Sequence, residues 1–217
     1  MKRFSIRAGL VFGMTMALLP VAGAGISAPA AFAQSAPASA VSAPIQSLYK
    51  ALDQVQNAHS SFAERSQMIS GAVDQAYDLE AVLKASVGLR YDSLSPSDKQ
   101  NLLAAFRNFT VARYVSSFKP GSGARFTISP SVTDAPAGGG KIVETHIGSD
   151  DSMPGTAVSY IMHNEGGAWK ITDVLLSDSR ISQAAAQRSD FSSTLNSGGV
   201  QGLINVLNRK VQNYSKD

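Results

Sequence analysis

GTAVSYIMHNEGGAWKITDVLLSDSRISQAAAQRSDF, Gly155 to Phe191, holds two apolar runs around a glycine turn, then a polar bend and a helical segment. Ala157 to His163 alternates, with Val158, Tyr160 and Met162 on one face and Ser159 and His163 on the other. Period-two alternation marks a strand with one buried face. Trp169 to Leu176 is apolar on both faces, Trp169, Ile171 and Leu175 against Val174 and Leu176. That predicts an inner strand covered on both sides, with Trp169 in the core. Asn164-Glu165-Gly166-Gly167 supplies the positive-φ residues of a tight hairpin turn. The reading is a hairpin in the middle of a sheet, with no nucleophile, metal cluster or phosphate loop.

Upstream of the hairpin the period is still two. Phe126 and Ile128 alternate with polar neighbours, DAPAGGG (134–140) reads as a turn, and Ile142 to Ile147 as a second strand. Before Gly123 the period is helical. Ser95-Pro96-Ser97-Asp98 is a helix start, with Ser95 as cap, Pro96 in the first position and Asp98 three residues on. That helix runs to about Phe118 and carries a broad apolar face of Leu102, Leu103, Phe106, Phe109 and Tyr114. Earlier still, Ile45, Leu48, Tyr49, Leu52 and Val55 form one amphipathic stripe and Phe62, Arg65, Ile69, Val73 and Tyr77 another. Asp78 is placed to cap a short helix that Gly88 closes. After Ser179 the chain returns to helix, ending in the stripe Val200, Leu203, Ile204 and Leu207. Helices, a run of strands and helices again predict an α+β fold. Its expected form is a twisted antiparallel sheet of about four strands with helices packed on one face.

Residues 1–33 have the layout of a secretory signal peptide. Lys2, Arg3 and Arg7 precede an apolar run from Ala8 to Leu19, and Ala31-Phe32-Ala33 is a small-residue cleavage site. Pro20 interrupts the run well short of the ~20 apolar residues a membrane span needs. Residues 34–43 are rich in Ser, Ala and Pro and are expected to form a disordered tether, leaving a single domain over 44–217. With residues 1–33 removed, 16 basic residues face 16 acidic ones. The basic balance belongs to the precursor, so a nucleic-acid partner loses its main support. The chain has no cysteine. An exported protein without cysteine has neither a disulfide framework nor a thiol for lipid anchoring, so a soluble product is expected.

The polar candidates are few. Glu144 and His146 on one strand face could approach His163 on the next, but exposed polar residues on a sheet surface read the same way. Asp173, inside an apolar strand, could act as general base in a sheet-and-helix NTF2-like cone. It could equally bond local backbone or pair with Arg188. No serine lies in a G-x-S-x-G elbow. What the chain supplies is apolar surface. Phe106, Phe109 and Tyr114 of the long helix can face Val158, Tyr160 and Met162 of the sheet, with Val174 on the next strand. Such faces close into a core or stand apart around a dry cavity, and the pattern alone is the same for both.

Val158-Ser159-Tyr160, Trp169-Lys170-Ile171-x-Asp173-Val174, Ser182 and Arg188-x-x-Phe191 together resemble the signature of the MlaC (toluene-tolerance) family. Asp173-Val174-Leu175-Leu176, Ile181-Ser182-Gln183 and Gln187 to Phe191 are similar to its hopanoid-associated branch, HpnM. Phe62-x-x-Arg65 and the helix from Ser95 to Tyr114 fall at the family's distances upstream. Ser177 to Ile181 departs from it, since many members carry a glycine before the serine. The resemblance implies a non-enzymatic periplasmic lipid carrier with no cofactor and no metal, expected to be a monomer. Its cavity would be open, and lined by Phe106, Phe109, Tyr114, Val158, Tyr160, Met162 and Val174. The cargo implied is phospholipid, or a hopanoid-type lipid. The partners implied are an inner-membrane ABC transporter complex and an outer-membrane lipoprotein. The contrasting expectation is a cone-fold isomerase or hydrolase of a small apolar substrate, using Asp173 as base.

Overall fold

The computed structural model describes residues 36–136, 138–176 and 179–216. The expected signal peptide and the first two residues of the expected tether lie outside them. Four helices come first: α1 (Ala38–Asn57), α2 (Phe62–Ala76), α3 (Leu79–Val87) and α4 (Pro96–Ser117). The strands follow as β1 (Arg125–Asp134), β2 (Lys141–Gly148), β3 (Thr156–Glu165), β4 (Ala168–Leu176) and β5 (Ile181–Ser182). α5 (Gln183–Tyr214) closes the chain, bent at Gly199, whose φ of 61 breaks the helical path. The strands form one antiparallel meander in sequence order. The fold is α+β, as the order of periods predicted.

Several expectations need correction. The sheet has five strands rather than about four, because Ile181 and Ser182 pair with Leu176 and Leu175. Two residues are too few to show a period. The tether also ends sooner than its composition suggested, since α1 begins at Ala38 and runs through Pro44. Val41 and Ile45 are fully buried, and that packing orders a segment whose Ser/Ala content reads as disorder.

β4 is not covered on both sides. Tyr160 pairs with Val174 and Ile161 with Asp173, but Met162 pairs with Ile171, so Thr172 is an extra residue on β4. This bulge shifts the pleat by one residue and brings both Ile171 and Val174 to the buried face. The other face, which carries Asp173 and Leu175, is only partly covered. Trp169 is half-buried at the hairpin end, bordering a groove with Pro44, and is not a central core residue.

The helix ends follow local chemistry. Ser95 Oγ accepts from Asp98 N at 3.1 Å, and Asp78 Oδ1 accepts from Ala81 N at 2.9 Å. Ser61 and Glu64 form a reciprocal capping box at the start of α2. Gly88 closes α3 with φ 76, a conformation that costs glycine little. Arg65 explains the Phe-x-x-Arg spacing of α2. Buried, it donates from Nη1 to the carbonyl of Val115 at 3.1 Å and from Nε to that of Ser60 at 3.3 Å, with its guanidinium 5.9 Å from the Phe62 ring centre. Val115 lies in the last turn of α4, where unpaired carbonyls carry partial negative charge that a cation satisfies.

Candidate functional site

The backbone of α4 stands away from the sheet, while α1, α2, α3 and α5 approach the strands directly. Large aromatic side chains fill the gap. Phe106 meets Phe191 edge-on at 6.4 Å and Phe109 at 6.3 Å between ring centres. Tyr77 and Tyr114 share a 2.6 Å hydroxyl–hydroxyl hydrogen bond. Tyr49 donates to Tyr160 at 3.2 Å and lies 2.7 Å from the hydroxyl of Thr145, which donates to the carbonyl of Val158. Burial pushes all four tyrosine hydroxyls above their usual range, Tyr77 and Tyr160 far above it. They are neutral hydrogen-bonding groups at any physiological pH. The interior is thus apolar with a satisfied band of hydroxyls across it, and carries no charge in that band.

All seven residues expected to line a cavity are buried: Phe106, Phe109, Tyr114, Val158, Tyr160, Met162 and Val174. They join one hydrophobic cluster. Phe106 and Val174 border a small space of about 10 Å³, with Tyr77, Leu79, Val82 and Thr110 around it and the polar side chains of Arg113, Asp173 and Gln183 at its edge. That is barely room for one water molecule. In this structure the helix face and the sheet face meet. Outside them is an open groove of about 550 Å³ between the α2–α3 junction, α4 and the β3–β4 turn. Tyr77 and Leu79 line both the groove and the small space. A single layer of side chains therefore separates solvent from the interior at this point.

Tyr77 sits at a break in the helices. It is extended, with φ −102 and ψ 144, and forms an isolated bridge to Ile171 while Asp78 N donates to the Ile171 carbonyl at 3.0 Å. The groove rim carries Arg107, whose Nε and Nη2 donate to Asp74 Oδ1 and Oδ2 at 2.6 and 2.5 Å. Lys170 donates from Nζ to the carbonyls of Asp74 and Gln75 at 3.0 and 2.7 Å, at the C-terminal end of α2. Sequence reasoning singled out neither Arg107 nor Asp74. They are 33 residues apart, on separate helices, and no local pattern links them.

Asp173 is a cap. Its Oδ1 accepts from Val174 N at 2.8 Å and Ala184 N at 3.2 Å, and its Oδ2 from the Ser182 hydroxyl at 2.5 Å. Together with Ser182, whose Oγ accepts from Ala185 N, it fixes the start of α5 to β4. Arg188 is not its partner and donates instead to the carbonyl of Ala85 at 2.9 and 2.7 Å. Asp173→Asn is expected to cost about 1–2 kcal/mol by weakening these bonds, read as a lower midpoint in chemical denaturation. Lipid content should be unchanged. His163 Nδ1 is 2.8 Å from the Thr172 hydroxyl, and Glu144 pairs with Arg180. Among the described residues no three His, Cys, Asp or Glu side chains converge.

A helical layer thus packs on one face of an antiparallel meander, with a filled apolar interior one side chain from a solvent groove. The sequence profile described as MlaC protein matches residues 44–209, so the chain belongs to the MlaC family. A solved structure from Ralstonia solanacearum, described as a phospholipid-binding protein in complex with a phospholipid, shares the fold with a TM-score of 0.67 and 13% identity. The alignment covers 81% of this chain and 98% of that one. No curated protein matches.

Proposed function

We propose that this protein is a periplasmic, monomeric phospholipid carrier whose acyl-chain site is the gap between α4 and the inner face of the sheet. Phe106, Phe109, Tyr114, Val158, Tyr160, Met162 and Val174 would form its walls. Membership of the MlaC family supports the reading, and the shared fold with a phospholipid-bound protein is the observation that carries it. The aromatic filling of the gap adds to it, because side chains span a distance that helix and strand backbones leave open.

The energetic logic needs no catalytic group. Moving a two-tailed lipid through water exposes roughly thirty methylenes at ~0.8 kcal/mol each, on the order of 20 kcal/mol gross. A protein that takes the tails into its interior removes most of that barrier. An inner-membrane ABC transporter complex and an outer-membrane lipoprotein would be the donor and acceptor. The Asp173 isomerase reading has lost its main support, because both carboxylate oxygens are engaged in holding the start of α5.

Mass spectrometry of lipids extracted from the purified mature protein tests the reading. About one phospholipid per chain is the expected result, and protein purified without lipid overturns it. The similarity of Gln187 to Phe191 to the hopanoid-associated branch favours a second cargo. A pentacyclic triterpenoid in the extract in place of phospholipid would establish that one.

A further inference from the structure

Resting on the carrier reading, we propose that the groove between the α2–α3 junction, α4 and the β3–β4 turn receives the lipid headgroup. We further propose that it favours phospholipid bearing a free amine over anionic phospholipid. The groove is the right neighbour for such a role. Tyr77 and Leu79 form its boundary with the interior, and Leu103 and Ala104 of α4 add to its apolar wall. A lipid with its tails in the gap and its glycerol at Tyr77 would leave its headgroup among the side chains of the rim.

The charges there are unequal. Two cations, Arg107 and Lys170, face four carboxylates, Asp74, Asp78, Glu80 and Glu165. Arg107 and Asp74 cancel in a two-point ion pair. Lys170 spends two of its three N–H groups on α2 carbonyls, which leaves one for a phosphate oxygen. Asp78 is held by its capping bond, and Glu80 accepts from the Tyr91 hydroxyl at 3.0 Å through one oxygen only. Glu165 makes no salt bridge among the described residues. Lys170 thus offers an ammonium N–H for phosphate, beside the remaining donors of Arg107 and the Gln100 amide, with an excess of negative charge around them. A phosphate followed by an ammonium group meets both. A headgroup whose only charge is the phosphate meets Lys170 but also the unbalanced carboxylates.

The test uses mature protein incubated with vesicles of equal parts phosphatidylethanolamine and phosphatidylglycerol, all with the same isotope-labelled acyl chains. The protein is then re-isolated and its labelled lipid quantified. Individual charge contacts at an exposed rim are weak, so the expected enrichment of phosphatidylethanolamine is about three- to tenfold. It should shrink in 1 M salt, where the screening length is ~3 Å. The double variant Glu80→Gln, Glu165→Gln should bring the bound ratio back toward that of the vesicles. Both lipids bound in the vesicle ratio, or phosphatidylglycerol in excess, would overturn the headgroup proposal and leave the carrier reading standing. Protein that takes up neither lipid would overturn both.

Discussion

Met162→Glu should leave a protein at least about 3 kcal/mol less stable at neutral pH, a large share of the roughly 5–15 kcal/mol that holds a domain together. Met162 has no exposed surface and sits opposite Ile171 on the buried face. The substitution removes an apolar side chain and puts a carboxylate where water does not reach. The cross-strand neighbour Lys141 pairs with Met162 in the β2–β3 ladder and holds Asp134 at 2.5 Å. Committed to Asp134, it does not neutralise the new charge. The buried carboxyl then has a folded-state pKa raised above its unfolded value near 4.3. Its folded form binds more protons than its unfolded form between those two values, so stability rises as pH falls through that window. Denaturation midpoints at pH 8 and pH 5 measure this, with the pH 5 midpoint expected to be higher relative to the native chain. Capture by Lys141 would reverse the sign. An unchanged midpoint at neutral pH would show that Met162 does not face a closed interior.

What could be read from the chain beforehand was whatever local chemistry dictates. Ser95 and Pro96 start α4, Asp78 caps α3 and Gly88 ends it, because capping needs only residues three or four apart. The burial of Phe106, Phe109, Tyr160 and Met162 followed from period alone. Features set by partners distant in sequence were not legible. The bulge at Thr172 looks in sequence like a strand apolar on both faces, because one extra residue moves Ile171 from one side of the alternation to the other. The early start of α1 depends on Val41 finding the core, which overrides a composition that favours disorder. The groove rim joins Asp74, Arg107 and Lys170 from three elements, so its charge balance exists only in the fold.

The filled interior and the proposed carrier role meet at one residue. Tyr77 stands between groove and interior, so Tyr77→Ala should act twice. Removing a buried aromatic side chain should cost about 3–5 kcal/mol, and it should open a passage from the groove to the space beside Phe106. Lipid exchange between protein and vesicles is then expected to be faster than in the native chain, even though the protein is less stable. Tyr77→Phe separates the two contributions. It keeps the ring, and so the barrier, but removes the 2.6 Å bond to Tyr114 and leaves a buried hydroxyl without that partner. A cost of about 1–2 kcal/mol is expected from that loss, with the exchange rate unchanged. Transfer of a fluorescent phospholipid from vesicles reads the rate, and urea denaturation reads the stability. If the Phe variant exchanged lipid as fast as the Ala variant, the hydroxyl pair rather than the ring would be what holds the passage shut. If neither variant changed the rate, the tails would have to reach the interior by another route, and the groove beside Arg107 and Lys170 would lose its connection to cargo.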